Sequence, residues 1–117
     1  MFQFQKLSVY QKSKLYCRDV LKYVQENKLD RTVSDQLKRA SLSIMLNIAE
    51  GSSRFTTKDT RRFMVISRGS AFECVAVFEY LHDNHIIEQH EFEAFLSHLT
   101  EISKMLFGMI RKLEASA

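Results

Sequence analysis

Residues 36–54, QLKRASLSIMLNIAEGSSR, constrain the fold more than any other part of this 117-residue chain. At about 100° per residue the side chains of a helix here separate into three stripes. Leu37, Ala40, Ser41, Ile44 and Ile48 form one apolar face, and Leu42, Met45, Leu46 and Ala49 form a second. Gln36, Arg39, Ser43, Asn47 and Glu50 line up between them as a polar stripe. A surface helix of a small monomer needs one apolar face. Two such faces require cover from both sides, and in a chain this short the second cover is expected to be another subunit. The expected oligomer interface is Leu42, Met45, Leu46 and Ala49, together with Val65 and Phe72 further along the chain. The polar stripe, joined by Glu73, is expected to form a network between helices or subunits, because a buried polar group without a partner costs about 1–3 kcal/mol. Ser34 is the expected N-cap of this helix, with Asp35 in its first turn and Gly51 as the left-handed stop.

The chain has no proline and three glycines. So little punctuation disfavours hairpins and favours long helices with short connections. A first helix is expected over residues 9–27, opened by a capping box from Ser8 to Gln11. Its expected core side carries Val9, Tyr10, Ser13, Tyr16, Cys17, Val20, Leu21 and Val24. A third helix is expected to start at a Thr57 cap, with Asp59 in its first turn, and to end near residue 82. Its expected core stripe is Phe63, Ile66, Ser67, Ser70, Cys74, Val77, Phe78 and Leu81. Met64, Val65, Ala71, Phe72, Val75 and Ala76 give it apolar surface on other sides as well. A fourth helix is expected over 89–113, with one broad stripe from Phe92 to Leu113 and a frayed end at 114–117. The size fits one domain, residues 1–117. The reading is all-α: an up-down-up-down antiparallel four-helix bundle.

Several classes of function find no support in the residues. No apolar run approaches the roughly 20 residues that span a membrane, so no membrane association is expected. The first residues lack the basic and apolar blocks of an export signal, which makes the cytoplasm the expected location. Cys17 and Cys74 fall at core-facing positions and are read as free buried thiols. His82, His85, His90 and His98 do not fit the repeated Glu-x-x-His pattern of di-metal bundles, so neither a metal nor a cofactor is expected. No nucleophile elbow or glycine-rich phosphate loop is present. Ser43, Ser67, Ser70 and Ser103 are small residues at packing positions. Glu50 and Glu73 are better paired with Arg39, Arg54 or Arg62 than with each other as a catalytic dyad. The chain is therefore read as a protein that is not an enzyme.

Charge points elsewhere. The net charge of +3 hides an asymmetry: residues 1–70 carry 14 Lys/Arg against 6 Asp/Glu, and residues 71–117 carry 3 against 8. Such a split fits a polyanion partner or a basic face of one subunit meeting an acidic face of the next. Lys14, Arg18 and Lys22 recur along the first helix and read as a solvated face. Arg54, Lys58, Arg61, Arg62 and Arg68 crowd one loop and the first turns of the third helix, with Phe55 among them as a stacking platform. Backbone donors at that helix start add to a phosphate-binding character. These five cations are the candidate nucleic-acid site, for RNA or DNA. The alternative is a structural oligomer that recruits a protein partner without touching nucleic acid.

The 36–54 run also resembles a bacterial four-helix-bundle family named after small proteins encoded within intervening sequences of 23S ribosomal RNA genes. Its pattern is Q-L-[RK]-R-A-x-x-S-I-x-x-N-I-A-E-G-x-x-R. Gln36, Leu37, Lys38, Arg39, Ala40, Ser43, Ile44, Asn47, Ile48, Ala49, Glu50, Gly51 and Arg54 occupy every fixed position. Ser70 and Glu73 match a further G-S-x-x-E element, and the resemblance runs from residues 7–11 to 104–110. It implies the four-helix bundle, a ring of five subunits with a central pore, and an association with ribosomal RNA. A distantly similar bundle accompanies reverse transcriptases of diversity-generating retroelements, which makes a reverse transcriptase the kind of protein partner the alternative reading implies. The family's proline near Met45 and Leu46 is missing, so the helix is expected to be straighter here.

Overall fold

The computed structural model describes residues 1–116. A 3₁₀ turn, Gln3–Lys6, precedes four helices: α1 (Ser8–Glu26), α2 (Arg31–Ser52), α3 (Thr57–Asp83) and α4 (Gln89–Ser116). There is no strand among the described residues. The connections at 27–30, 53–56 and 84–88 are short, which leaves antiparallel neighbours as the available packing. The bundle measures 45 × 26 × 22 Å. α3 packs most extensively, against α2 on one side and α4 on the other, and α1 closes the bundle against α2 and α4.

Each helix contributes one buried stripe at helical spacing. On α1 it is Val9, Ser13, Tyr16, Val20 and Tyr23; on α2, Leu37, Ala40, Ser41, Ile44, Ile48 and Gly51. On α4 it is Phe95, Leu99, Ile102, Leu106 and Ile110. Aromatic rings gather in one half of the core: Phe78 stacks on Phe95 at 4.5 Å, and Tyr16 and Tyr23 meet Phe95 edge-on at 6.2 and 5.6 Å. Hydroxyls and thiols gather at mid-bundle. Ser41 Oγ donates to Tyr16 Oη at 3.2 Å and lies 3.5 Å from Cys74 Sγ, while Cys17 Sγ donates to the Ser41 carbonyl at 3.1 Å. Ser67 Oγ donates across the helix pair to the Ile44 carbonyl at 2.7 Å. Both thiols are free; Cys74 is buried as expected, whereas Cys17, expected to be buried too, is half-buried at the α1–α2 surface. Burial raises the Cys74 thiol above its ordinary range and pushes Cys17 up to about 12; burial likewise holds the Tyr16 hydroxyl well above its ordinary value.

The structure corrects the sequence reading in several places. The cap of α2 is Asp30, whose carboxylate accepts from the Thr32 and Val33 amides, and not Ser34. Asp35 therefore sits in the second turn. Ser8 lies inside α1, the N-cap position is Leu7 without a side-chain bond, and the expected capping box does not form. At α3 the cap is Thr56, one residue early, accepting from Asp59 N. Gly51 is no left-handed stop, since no glycine has a positive φ and α2 continues through it. It is buried, and a Cβ there would lie 2.9 Å from Phe63 Cβ, 3.1 Å from Met64 Cε and 3.3 Å from the Thr60 carbonyl. Its missing side chain is what lets α2 and α3 approach.

On α3 the buried residues are Met64, Ser67, Ala71, Cys74, Phe78 and Leu81. Ser67, Cys74, Phe78 and Leu81 are buried as expected, but Ile66 is exposed and Phe63 and Ser70 are half-buried while Met64 and Ala71 are buried, so the stripe is turned by about half a position. On α1, Leu21, expected on the core side, is exposed, and Tyr23, not assigned from sequence, is buried. Residues 114–116 are helical and not frayed, with Glu114 bound to Arg61; Ala117 lies outside the described residues.

Candidate nucleic-acid interface

The α2–α3 corner is built by a sharp reversal of the chain. The Ser53 and Arg54 amides donate to the Glu50 and Gly51 carbonyls, closing the end of α2, and Thr56 opens α3 four residues later. The five cations of the sequence do not form one cluster here. Arg54 bonds Glu50 and lays its guanidinium 4.6 Å from the centre of the Phe63 ring. Arg62 lies over the same ring at 4.8 Å. Lys58 is exposed one turn before Arg62 and makes no ion pair among the described residues. Phe55, in the loop beside them, is fully exposed. Arg54, Lys58 and Arg62 thus share the corner with two rings.

Arg61 and Arg68 point the other way, toward α4. Arg61 bonds Glu114 at 3.1 Å. Arg68 lies over Phe72 at 4.6 Å and Phe107 at 5.2 Å, and Arg111 approaches Phe107 from its own helix at 5.7 Å. The Nε atoms of Arg61 and Arg68 are covered and have no hydrogen-bond partner. The spacing explains the split: Arg61 and Arg68 are seven residues apart and share one side of α3, whereas Lys58 and Arg62 are four apart and share another.

The polar stripe of α2 meets α3 along their outer seam. Gln36 donates to Glu73, Ser43 and Ser70 share a hydrogen bond of 2.7 Å, and Asn47 donates to the Ser43 carbonyl and hydroxyl at 2.8 and 3.0 Å. Glu50 takes Arg54 as expected, but Glu73 takes Gln36 and not an arginine. Arg39 is exposed and joins no ion pair among the described residues. Within one protomer this network ties α2 to α3.

The second apolar face is uncovered. Leu42 and Leu46 of α2 are 48% and 56% exposed, and Val65 and Phe72 of α3 are 43% and 54% exposed. Met45 and Ala49 are half-buried. Ile66 and Tyr80, not assigned to the interface from sequence, are exposed as well. The ring of Phe63, expected in the core stripe, is instead the surface on which two guanidiniums rest. No spacing rule marks that role, because it depends on the loop folding back. Among the described residues no group of three His, Cys, Asp or Glu is placed to hold a metal. His82 stacks on Phe92 at 4.1 Å and bonds Gln89 at 2.7 Å, which ties α3 to the start of α4. No helix among the described residues is long and apolar enough to cross a membrane.

Residues 5–108 match a family model described as 23S rRNA-intervening sequence protein. A crystal structure from Bacteroides thetaiotaomicron, described as a protein with unknown function from the S23 ribosomal protein family, is similar in fold. Its TM-score is 0.78 at 24% identity, covering 87% of this chain and 97% of that one. No curated protein matches the chain.

Proposed function

The chain belongs to the 23S rRNA-intervening sequence protein family, and from that premise we propose that it is a non-enzymatic, self-associating bundle that holds RNA at its α2–α3 corner. The observation that carries the reading is the pairing of Arg54 and Arg62 on the Phe63 ring, beside exposed Lys58 and Phe55. A guanidinium laid on an aromatic face keeps its in-plane N–H groups available, and these fit phosphate oxygens in pairs. Arg62 has all of its own free of ion pairs among the described residues, whereas Arg54 shares its with Glu50. The ring restricts the arginine side chain before any ligand arrives, so less entropy is lost on binding. An exposed phenylalanine at the same corner offers a face on which an unpaired base can stack. Arg61 and Arg68 belong to the α3–α4 side and are left out of this site. Self-association follows from the uncovered Leu42, Leu46, Val65 and Phe72, with the family's ring of five as the proposed stoichiometry.

The test is fluorescence anisotropy with a short unstructured RNA at several salt concentrations. Binding should weaken as salt rises, with a log–log slope of about −0.7 per phosphate contacted. Lys58→Glu combined with Arg62→Glu should weaken binding by more than about tenfold and flatten that slope by about one to two contacts. Unchanged affinity and slope would rule the corner out. The second reading, an adaptor that recruits a protein such as a reverse transcriptase without nucleic-acid contact, rests on the exposed apolar surface of Ile66, Phe72 and Tyr80. It gains ground if the wild-type protein shows no salt-sensitive binding to RNA or DNA.

A further inference from the structure

Two features of the surface fit each other. The first is a ridge: Leu42 and Leu46 stand one turn apart on the outside of α2, each about half exposed. Arg39 lies one turn before Leu42 and has no ion-pair partner. The second is a groove of about 480 Å³ between α3 and α4. Ala71, Phe72, Val75, Ala76 and Leu96 give it an apolar lining, Glu79 stands on its α3 edge, and Lys104 stands on its α4 edge. The alanines leave room where a larger side chain would fill the channel. Glu79, like Arg39, joins no ion pair among the described residues.

We propose that the Leu42–Leu46 ridge of one protomer seats in the α3–α4 groove of a second copy, head to tail. This rests on the self-association reading above and names the two surfaces that meet. Spacing and charge set the arrangement. Arg39 and Leu46 are seven residues apart, as are Glu79 and Phe72, which is about 10.5 Å along either helix. Placing Arg39 against Glu79 therefore carries Leu42 and Leu46 over Ala76 and Phe72, with α2 antiparallel to the receiving α3. The opposite direction would bring Arg39 toward Lys104, a like-charge approach that disfavours it. The contact joins a basic part of one chain to the acidic half of the next, so the asymmetric charge distribution has a physical use. Ridge and groove lie on different parts of the same molecule, so the contact is heterologous, and each protomer of a pair keeps one of its two surfaces free for a further copy.

Two surface variants test the pairing, with helix content followed by circular dichroism. Leu46→Lys spoils the ridge and keeps the groove; Ala76→Arg spoils the groove and keeps the ridge. A charge forced into an apolar contact should weaken self-association by roughly 100-fold. Each variant alone should then sediment as a protomer at micromolar concentration. Mixed in equal amounts, they should form a two-chain complex, because one intact ridge meets one intact groove. If either variant keeps the wild-type mass, or the mixture stays at protomer mass, the pairing is wrong even though the wild type assembles. The second of these results also covers a groove that serves a foreign helix. A wild-type protein that sediments as a protomer would instead remove the self-association reading, and the pairing with it. A cysteine pair gives an independent check. Leu42→Cys chains and Ala76→Cys chains should cross-link on mild oxidation when mixed and not when separate. Cross-linking of Leu42→Cys chains alone would put α2 against α2 and overturn the proposal.

Discussion

Replacing Gly51 by alanine adds one methyl group at the tightest contact between α2 and α3. The added Cβ would lie 2.9 Å from Phe63 Cβ and 3.3 Å from the Thr60 carbonyl, neither of which can swing away as a side-chain tip can. Only Met64 Cε, at 3.1 Å, is flexible. The helices must separate by a few tenths of an ångström, and overpacking of this kind costs about 1–3 kcal/mol. Alanine returns about 0.5–1 kcal/mol through its better helix propensity. The net expectation is a loss of about 1–2 kcal/mol, read from urea denaturation at one fixed protein concentration, since assembly also contributes to stability. Gly108→Ala is the control. That glycine is helical and exposed, with nothing within 4 Å of its Cβ position. It should gain about 0.5–1 kcal/mol. Gly51→Asn separates the two explanations of the glycine. A left-handed stop would tolerate asparagine better than alanine, whereas a close approach makes the larger residue worse. The packing argument fails if Gly51→Ala moves the midpoint in the same direction as Gly108→Ala, or if Gly51→Asn is the milder change.

The α2 cap gives a second stability test: Asp30→Ala should cost about 1 kcal/mol, because two amides lose their acceptor, while Ser34→Ala should be close to neutral. Equal effects at the two positions, measured by denaturation, would contradict the observed cap. The thiols give a chemical test. With Cys17 held at about 12 against an ordinary thiol near 9, its thiolate fraction at pH 8 is lower by roughly a thousandfold. Alkylation of the folded protein by iodoacetamide, followed by mass spectrometry, should be slow until the chain is unfolded, and rapid labelling of half-buried Cys17 in the native state would refute its raised pKa.

Much of the fold can be read from residues because the apolar spacing on α4 has one phase and the two apolar faces of α2 are set apart by its polar stripe. Leu37, Ala40, Ser41, Ile44 and Ile48 are the buried face of α2, as their period implies. α3 resists the same reading. It carries apolar residues on nearly every side, so Phe63 and Met64 are equally good starts for a stripe, and only packing against α2 and α4 chooses Met64. Caps fail for a related reason: Asp30, Thr32, Ser34 and Asp35 are all competent by residue type, and only the folded chain shows Asp30 to be the one that meets two free amides. The basic region could be found as a cluster in sequence but not divided, because the division depends on Glu114 and Phe107, which lie far along the chain on α4.

A bundle cemented by hydrocarbon alone tolerates a one-turn slip along its axis, since one leucine replaces another. The mid-bundle hydroxyls and thiols remove that freedom. Sliding α2 by a turn would strip the Ser41 hydroxyl from Tyr16 and Cys74 together, leaving polar side-chain atoms of three helices in a dry interior. The rods are thereby indexed vertically, so the acidic, basic and greasy bands on their outer surfaces keep fixed heights relative to one another.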